Sequence, residues 1–354
     1  MIIGIALAVV AVGVGGFFAF MTHQMNQIPK LSFEDMLAYV TKDNKKAIIV
    51  VGVIESGESS YTLYGENGTM LPTTEHIYEI GSLTKTFTAS LLFKAIDEGK
   101  IHLDDPIDQY LDLPQKEYYP TIRRLVTHTS GYNGFYFETQ MISNFFRGKN
   151  DFYGIPKAQL IERIGKVSLQ DKDYDYKYSN FGIAVVGAVL SEIYGETYTS
   201  LMNEYIAATL GLHNTRISDG SGDLEHYWDW EKDDAYMPAG ALTSTIEDML
   251  QYAQLQMNET PKHLSGTHKV LAEVNATSGN HAKMNIHMDS SGAAWIIDIH
   301  NHIIWHNGGT GNFNCYLGFD PNQKIAVVIL SNLAPNYRIP ATVMGIKLLT
   351  DMQR

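Results

Sequence analysis

Apolar and polar positions divide the chain into three regimes. Residues 2–21 form an uncharged and almost continuously apolar run that opens on Ile2 and ends Phe17-Phe18-Ala19-Phe20-Met21. A helix of that length spans roughly 30 Å, the hydrocarbon thickness of a bilayer. A secretory signal would carry a basic start and a small-residue cleavage site after a shorter apolar stretch. Neither is present, and no cysteine follows to accept a lipid. Residues 1–22 therefore read as a transmembrane anchor, with a cleaved signal peptide as the alternative, and residues 23–31 as a polar tether. The flanks carry almost no Lys or Arg, so charge asymmetry does not set the orientation.

The second regime alternates or runs apolar over short spans, the third repeats with a helical period. Ser32-Phe33-Glu34-Asp35 reads as a capped helix start, with acidic residues in its first turn and an end near Asp43. Residues 47–55 (AIIVVGVIE) predict a buried strand, and residues 59–64 its hairpin partner. A helix is predicted from Ser82 to Gly99, followed by mostly helical sequence over roughly 105–250. Strands return at 293–299, 303–307, 315–319 and 324–331, and a helix over 340–352 closes the chain. Strands at both ends around a helical block predict an α+β body. Its antiparallel sheet is flanked by helices, is completed by the C-terminal strands and carries an inserted all-helical lobe. A site in the cleft between lobe and sheet is expected.

Composition narrows the function. The 354 residues are 45% hydrophobic and 18% charged, a globular balance. The formal net charge is −13 and no basic run exceeds two adjacent residues, which argues against nucleic-acid binding. The single cysteine, Cys315, excludes an intramolecular disulfide and a cysteine-based metal site, and its apolar surroundings predict a buried thiol.

Three short motifs occur in order: Ser82-Leu83-Thr84-Lys85, Tyr178-Ser179-Asn180 and His306-Asn307-Gly308. A serine at a helix start and a lysine three residues on share a helix face, so the amine can reach the hydroxyl. The hydroxyl is a weak nucleophile until a base takes its proton, and a lysine serves as base only when its pKa is lowered. The helix N-terminus favours the alkoxide that forms. An S-x-x-K is expected about once by chance in such a chain, and so is an H-x-G, whereas Tyr-Ser-Asn is expected less than about once in ten. The weight lies in the order of all three.

With these motifs, the chain resembles the penicillin-recognising serine hydrolases, in particular the branch of class C β-lactamases, D-alanyl and D-amino-acid peptidases and related esterases. Ile122-Arg123-Arg124-Leu125-Val126-Thr127-His128-Thr129-Ser130-Gly131 looks like that family's "LLTHTSG" segment, and Ala239 to Thr245 also matches its habits. The resemblance covers residues 32–354, read as one hydrolase domain. It implies Ser82 as acyl-accepting nucleophile and Lys85 as proton acceptor. Tyr178 would share that proton beside the lysine cation and pass it to the leaving group. Asn180 would orient Lys85 and hydrogen-bond substrate. The backbone N–H groups of Ser82 and Gly309 would form the oxyanion hole, with Gly308 and Gly309 letting the strand edge approach. No metal or cofactor is implied.

The third motif departs from the family's Lys-Thr-Gly, because His306 stands where a lysine helps bind a substrate carboxylate. Histidine is largely neutral at pH 7, so efficient β-lactam hydrolysis is not expected, and acyl transfer from an ester or a D-amino-acid bond is. Residues 227–234 (YWDWEKDD) read first as a solvated acidic loop with its aromatics tucked inward, and second as a wall for an ammonium-bearing substrate. His302 and His306 would share a strand face, but no carboxylate at ligand spacing joins them and His300 apart from Asp298. His128 is expected to satisfy backbone or to lie beneath the cleft. The leading expectation is a single-pass membrane-anchored hydrolase, its catalytic domain outside the cytoplasm (secreted if residues 1–22 are cleaved), acting on ester or D-alanyl bonds of cell-envelope polymers. The alternatives are a penicillin-binding D-alanyl-D-alanine carboxypeptidase or weak β-lactamase, and a non-catalytic sensor on the same fold.

Overall fold

The computed structural model describes residues 27–353, so the anchor expected at residues 1–22 lies outside the described residues. Among the described residues no helix is long and apolar enough to cross a membrane. The first helix, α1 (Phe33–Val40), starts where the sequence signals, with Ser32 Oγ accepting from the Asp35 amide at 3.1 Å, but it ends three residues before Asp43. The strands β1 (Ile49–Glu55) and β2 (Glu58–Tyr64) form the predicted hairpin, turning at Ser56 and Gly57. The short strands β3 (Met70–Leu71) and β4 (Tyr78–Glu79) lead to a single turn, Gly81–Leu83, and then to α2 (Thr84–Asp97).

The middle of the chain supplies α3 (Ile122–Val126), α4 (Thr139–Arg147), α5 (Lys157–Lys166), α6 (Asn180–Tyr194) and α7 (Tyr198–Glu204). It continues with β5 (Arg216–Ile217), α8 (Met237–Gly240), β6 (Leu242–Ser244) and α9 (Ile246–Met257). This block is not all helical. Strand β6 pairs with β5 and with β4 in a small antiparallel sheet, which ties the segment before Ser82 into the lobe. Strands of two and three residues offer no alternation to read, and their pairing comes from long-range contact.

The C-terminal part adds β7 (Ala272–Glu273), α10 (Gly279–Lys283), β8 (Ser290–Ser291), β9 (Ile296–Asp298), β10 (Ile303–Gly309), β11 (Asn314–Asp320), β12 (Ile325–Ser331) and α11 (Ala341–Met352). The main sheet runs β3-β2-β1-β12-β11-β10-β9-β8-β7 and is antiparallel throughout. Its centre joins the two ends of the chain, with Ile49 opposite Ser331 and Ile54 opposite Ala326. Both faces are covered, so the central strands are apolar on both sides. Val50, Leu317, Val328 and Leu330 belong to the core shared with the helical lobe, while Val51, Tyr316, Val327 and Ile329 face α1 and α11. Period-2 alternation thus separates two cores across one sheet.

Candidate active site

The nucleophile turn and the edge of β10 meet where α2 enters from the lobe. Gly81 has φ +49°, and a Cβ there would fall 2.6 Å from the Gly309 nitrogen. A Cβ on Gly308 would fall 1.9 Å from the Ile80 carbonyl oxygen and 3.2 Å from the Ser82 nitrogen. Only glycine permits this backbone-on-backbone contact. It lays the backbone of Gly308 and Gly309 against that of residues 80–82.

Lys85 is the second residue of α2, three residues after Ser82, with no exposed surface. Its Nζ donates to Ser82 Oγ at 2.8 Å and to the Ala239 carbonyl at 2.5 Å. Burial holds the amine well below its ordinary value of 10.5. Burial thus favours the uncharged amine, the form that accepts the Ser82 proton. Ala239 opens the Ala239–Thr245 segment, and no sequence signal marks its carbonyl as the lysine's partner.

Tyr178 reaches the site from the loop before α6. Its ring centre lies 5.0 Å from Lys85 Nζ and 6.1 Å from the His306 ring. Surrounding protein pushes the phenol upward and its hydrogen bond with Ser82 pulls it down. The residue is 36% exposed, so cleft water tempers the upward push, and the group is a protonated phenol at neutral pH. The main chain on either side is fixed by His128. The Lys177 amide donates to the His128 carbonyl at 2.8 Å, and the Ser179 amide to His128 Nδ1 at 3.2 Å. The His128 ring lies 4.7 Å from that of Tyr178. His128 is thus both backbone-satisfying and buried beneath the cleft, as expected, and additionally a clamp on Tyr178. Ser179 caps α6, accepting from Gly182 at 2.8 Å and donating to the Asn133 carbonyl at 2.7 Å.

Asn180 is the first residue of α6 and half-buried. Among the described residues no hydrogen bond joins its side chain to Lys85. His306 is 2% exposed, and its Nδ1 lies 2.6 Å from the Asn307 carbonyl, which assigns the proton to Nδ1 and leaves Nε2 as an acceptor. Burial first, then the neighbouring Lys85, depress its pKa to about 3. It therefore offers neither the charge nor the donor that a lysine would.

A cavity of about 670 Å³ opens on Ser82, Tyr178, His306, Asn307, Gly308 and Gly309. A second, of about 490 Å³, lies between α5, α6 and α8 and holds none of these residues. The 227–234 segment lines neither Ser82 nor Tyr178. Tyr227 donates to the Ile77 carbonyl at 2.6 Å, and Tyr227 and Trp230 pack on the core, which is the solvated-loop reading. Lys149 pairs with Asp229 at 3.5 Å. Of the histidines, His302 has φ +58° in the turn before β10, so it shares no strand face with His306. Among the described residues no cluster of three or more His, Cys, Asp or Glu could hold a metal ion. Cys315 is buried in β11, its thiol donating to the Glu79 carbonyl at 3.2 Å.

The Beta-lactamase family model matches residues 33–342. The chain belongs to that family. Its β-lactamase-like fold is shared with a Beta-lactamase/D-alanine carboxypeptidase from Yersinia pestis complexed with citrate, at 18% identity and a TM-score of 0.70, over 94% of this chain and 99% of that one. It is 26% identical over 333 residues to a Beta-lactamase from Pseudomonas fluorescens, covering 80% of this chain and 87% of that protein. It is also 24% identical over 290 residues to Protein flp of Staphylococcus aureus strain MW2, covering 75% of this chain and 54% of that protein. The chain spans about half the length of those staphylococcal relatives. As a family member it is a serine hydrolase in fold, with α+β architecture of the β-lactamase/transpeptidase kind.

Proposed function

We propose that the protein is a serine hydrolase that forms an acyl-enzyme on Ser82 from esters or D-aminoacyl bonds, including those of cell-envelope polymers. The observation that carries this is the fully buried Lys85 amine 2.8 Å from the Ser82 hydroxyl, its pKa pushed down by that burial. Lys85 takes the Ser82 proton as Oγ bonds to the substrate carbonyl carbon, and the oxyanion meets the amides of Ser82 and Gly309. The carbonyl then reforms as the bond to the leaving group breaks. The Tyr178 phenol gives its proton to the departing oxygen or nitrogen and regains one from the Lys85 ammonium. Water attacks the acyl-enzyme by the reverse relay, which frees the acid and restores Ser82. Asn180 is assigned to substrate contact at the mouth of the relay. The apolar run at residues 2–21 would hold the domain at the membrane, outside the cytoplasm.

The test is a panel of 4-nitrophenyl esters and D-alanyl esters and amides. Turnover is expected for the intact protein and a loss of at least about a thousandfold for Ser82→Ala. A protein that turns over none of the panel, and whose Ser82 stays unlabelled by a fluorophosphonate, would be the non-catalytic form of the fold. A D-alanine carboxypeptidase or weak β-lactamase reading draws on the Yersinia neighbour's name. The neutral His306 opposes it, and strong Ser82-dependent labelling by a fluorescent penicillin would favour it.

A further inference from the structure

We infer that the Ser82 cavity takes esters bearing an apolar, uncharged group, in preference to charged D-aminoacyl or carboxylate-bearing substrates; this deepens the hydrolase reading above and rests on it. From the nucleophile the cavity extends over Met284, Ile286, Met288, Ile296, Trp305 and Val343. Among the described residues no Asp or Glu lines it, so a substrate ammonium finds no counter-charge there. Among the described residues Arg338 is the Lys or Arg side chain on the wall, and it is exposed, with its Nη1 engaged elsewhere. Its Nη1 donates to the carbonyls of Tyr39 at 2.6 Å and Lys42 at 2.9 Å, and it lies over the Tyr39 and Tyr337 rings. His306, at the strand edge where a carboxylate would be bound, presents a lone pair on Nε2. Desolvating an ammonium against such a wall has no compensation, whereas each methylene laid on it gains from leaving water.

The experiment measures kcat/KM over two series at concentrations where the substrates are monomeric: 4-nitrophenyl acetate, butyrate and octanoate, which lengthen the acyl side, and methyl to hexyl acetates, which lengthen the alcohol side. A rise of at least about tenfold along one series is expected, since a fully buried methylene is worth up to about fourfold. In Met288→Glu and Val343→Glu the long-to-short ratio should fall at least tenfold, a readout that normalises each variant to its own folded fraction. Wild-type ratios that are flat or falling in both series overturn the inference while leaving the hydrolase reading intact, as would a D-alanyl ester outpacing the octanoate. Failure to turn over any ester, short ones included, together with an unlabelled Ser82, overturns both.

Discussion

Among the described residues no carboxylate pairs with Lys85; its partners are a hydroxyl and a carbonyl oxygen, neither of which offsets the cost of burying a charge. The sign of its pH dependence follows. The reactive form is the unprotonated amine, so activity is lost as pH falls through the lowered pKa and is already present far below 10.5. The kcat/KM profile should carry its acid limb well under pH 10, and a limb centred near 10.5 would sink the assignment. Lys85→Gln should lower kcat by roughly a hundred- to ten-thousandfold and remove that limb. The positions of Ser82, Lys85 and Tyr178 were legible because the chemistry demands fixed residue types in a fixed order. The buried setting of Lys85 was not. It depends on Ala239, distant in sequence, and on closure of the lobe, neither of which a three-residue spacing encodes. The His306 substitution, by contrast, could be read directly, and burial only drives its neutrality further.

Among the elements, β4 does most to hold the site together. Its Glu79 is 2% exposed, and its carboxylate accepts from the Thr310 hydroxyl at 2.6 Å, just past β10, and from the Trp228 amide at 2.6 Å. One side chain thus joins the strand before the nucleophile, the end of the oxyanion strand and the 227–234 loop. Burial raises its pKa to about 7 despite these hydrogen bonds. A carboxyl raised on folding takes up protons in the native state between its unfolded and folded pKa values. Its contribution to stability is therefore fully present below about pH 4.5 and is lost as pH rises to about 7. The linked change is on the order of 3 kcal/mol. Urea unfolding at pH 5 and pH 8 should show the difference between wild type and Glu79→Gln moving in the variant's favour at the higher pH; an unchanged difference would contradict the linkage. No sequence signal marks Glu79, since a lone acid before a serine reads as surface. The long strands β1, β10, β11 and β12 were evident from apolar runs. Strands β5 and β6 were too short to show a period, and His302 was misplaced because a turn residue carries no face.

Across the whole molecule, the sheet is closed by strands from opposite ends of the chain, and the lobe between them brings Ser82 and Tyr178 to its edge. The lobe's position therefore depends on how closely the sheet is covered on its other face. That face is sealed by α11, whose Gly345 sits on Tyr316, a residue of β11 with no exposed surface. Gly345→Ala is a sharp test because two effects oppose. In an exposed helix interior the alanine would gain about 1 kcal/mol. Here its Cβ would fall 2.0 Å from Tyr316 Cδ1 and 2.4 Å from Cε1, and a ring enclosed in the core cannot swing aside. Overpacking of that kind costs about 1–3 kcal/mol, so the net effect should be destabilising and the Tm should fall by roughly a few degrees. The same helix begins at the catalytic cavity with Thr342 and Val343, so a displaced α11 should also raise KM for the longer esters more than for acetate. A variant that melts higher than wild type would mean that helix and sheet are less tightly joined than the Tyr316 contact indicates. Coupling between the covered face and the cleft would then fail with it.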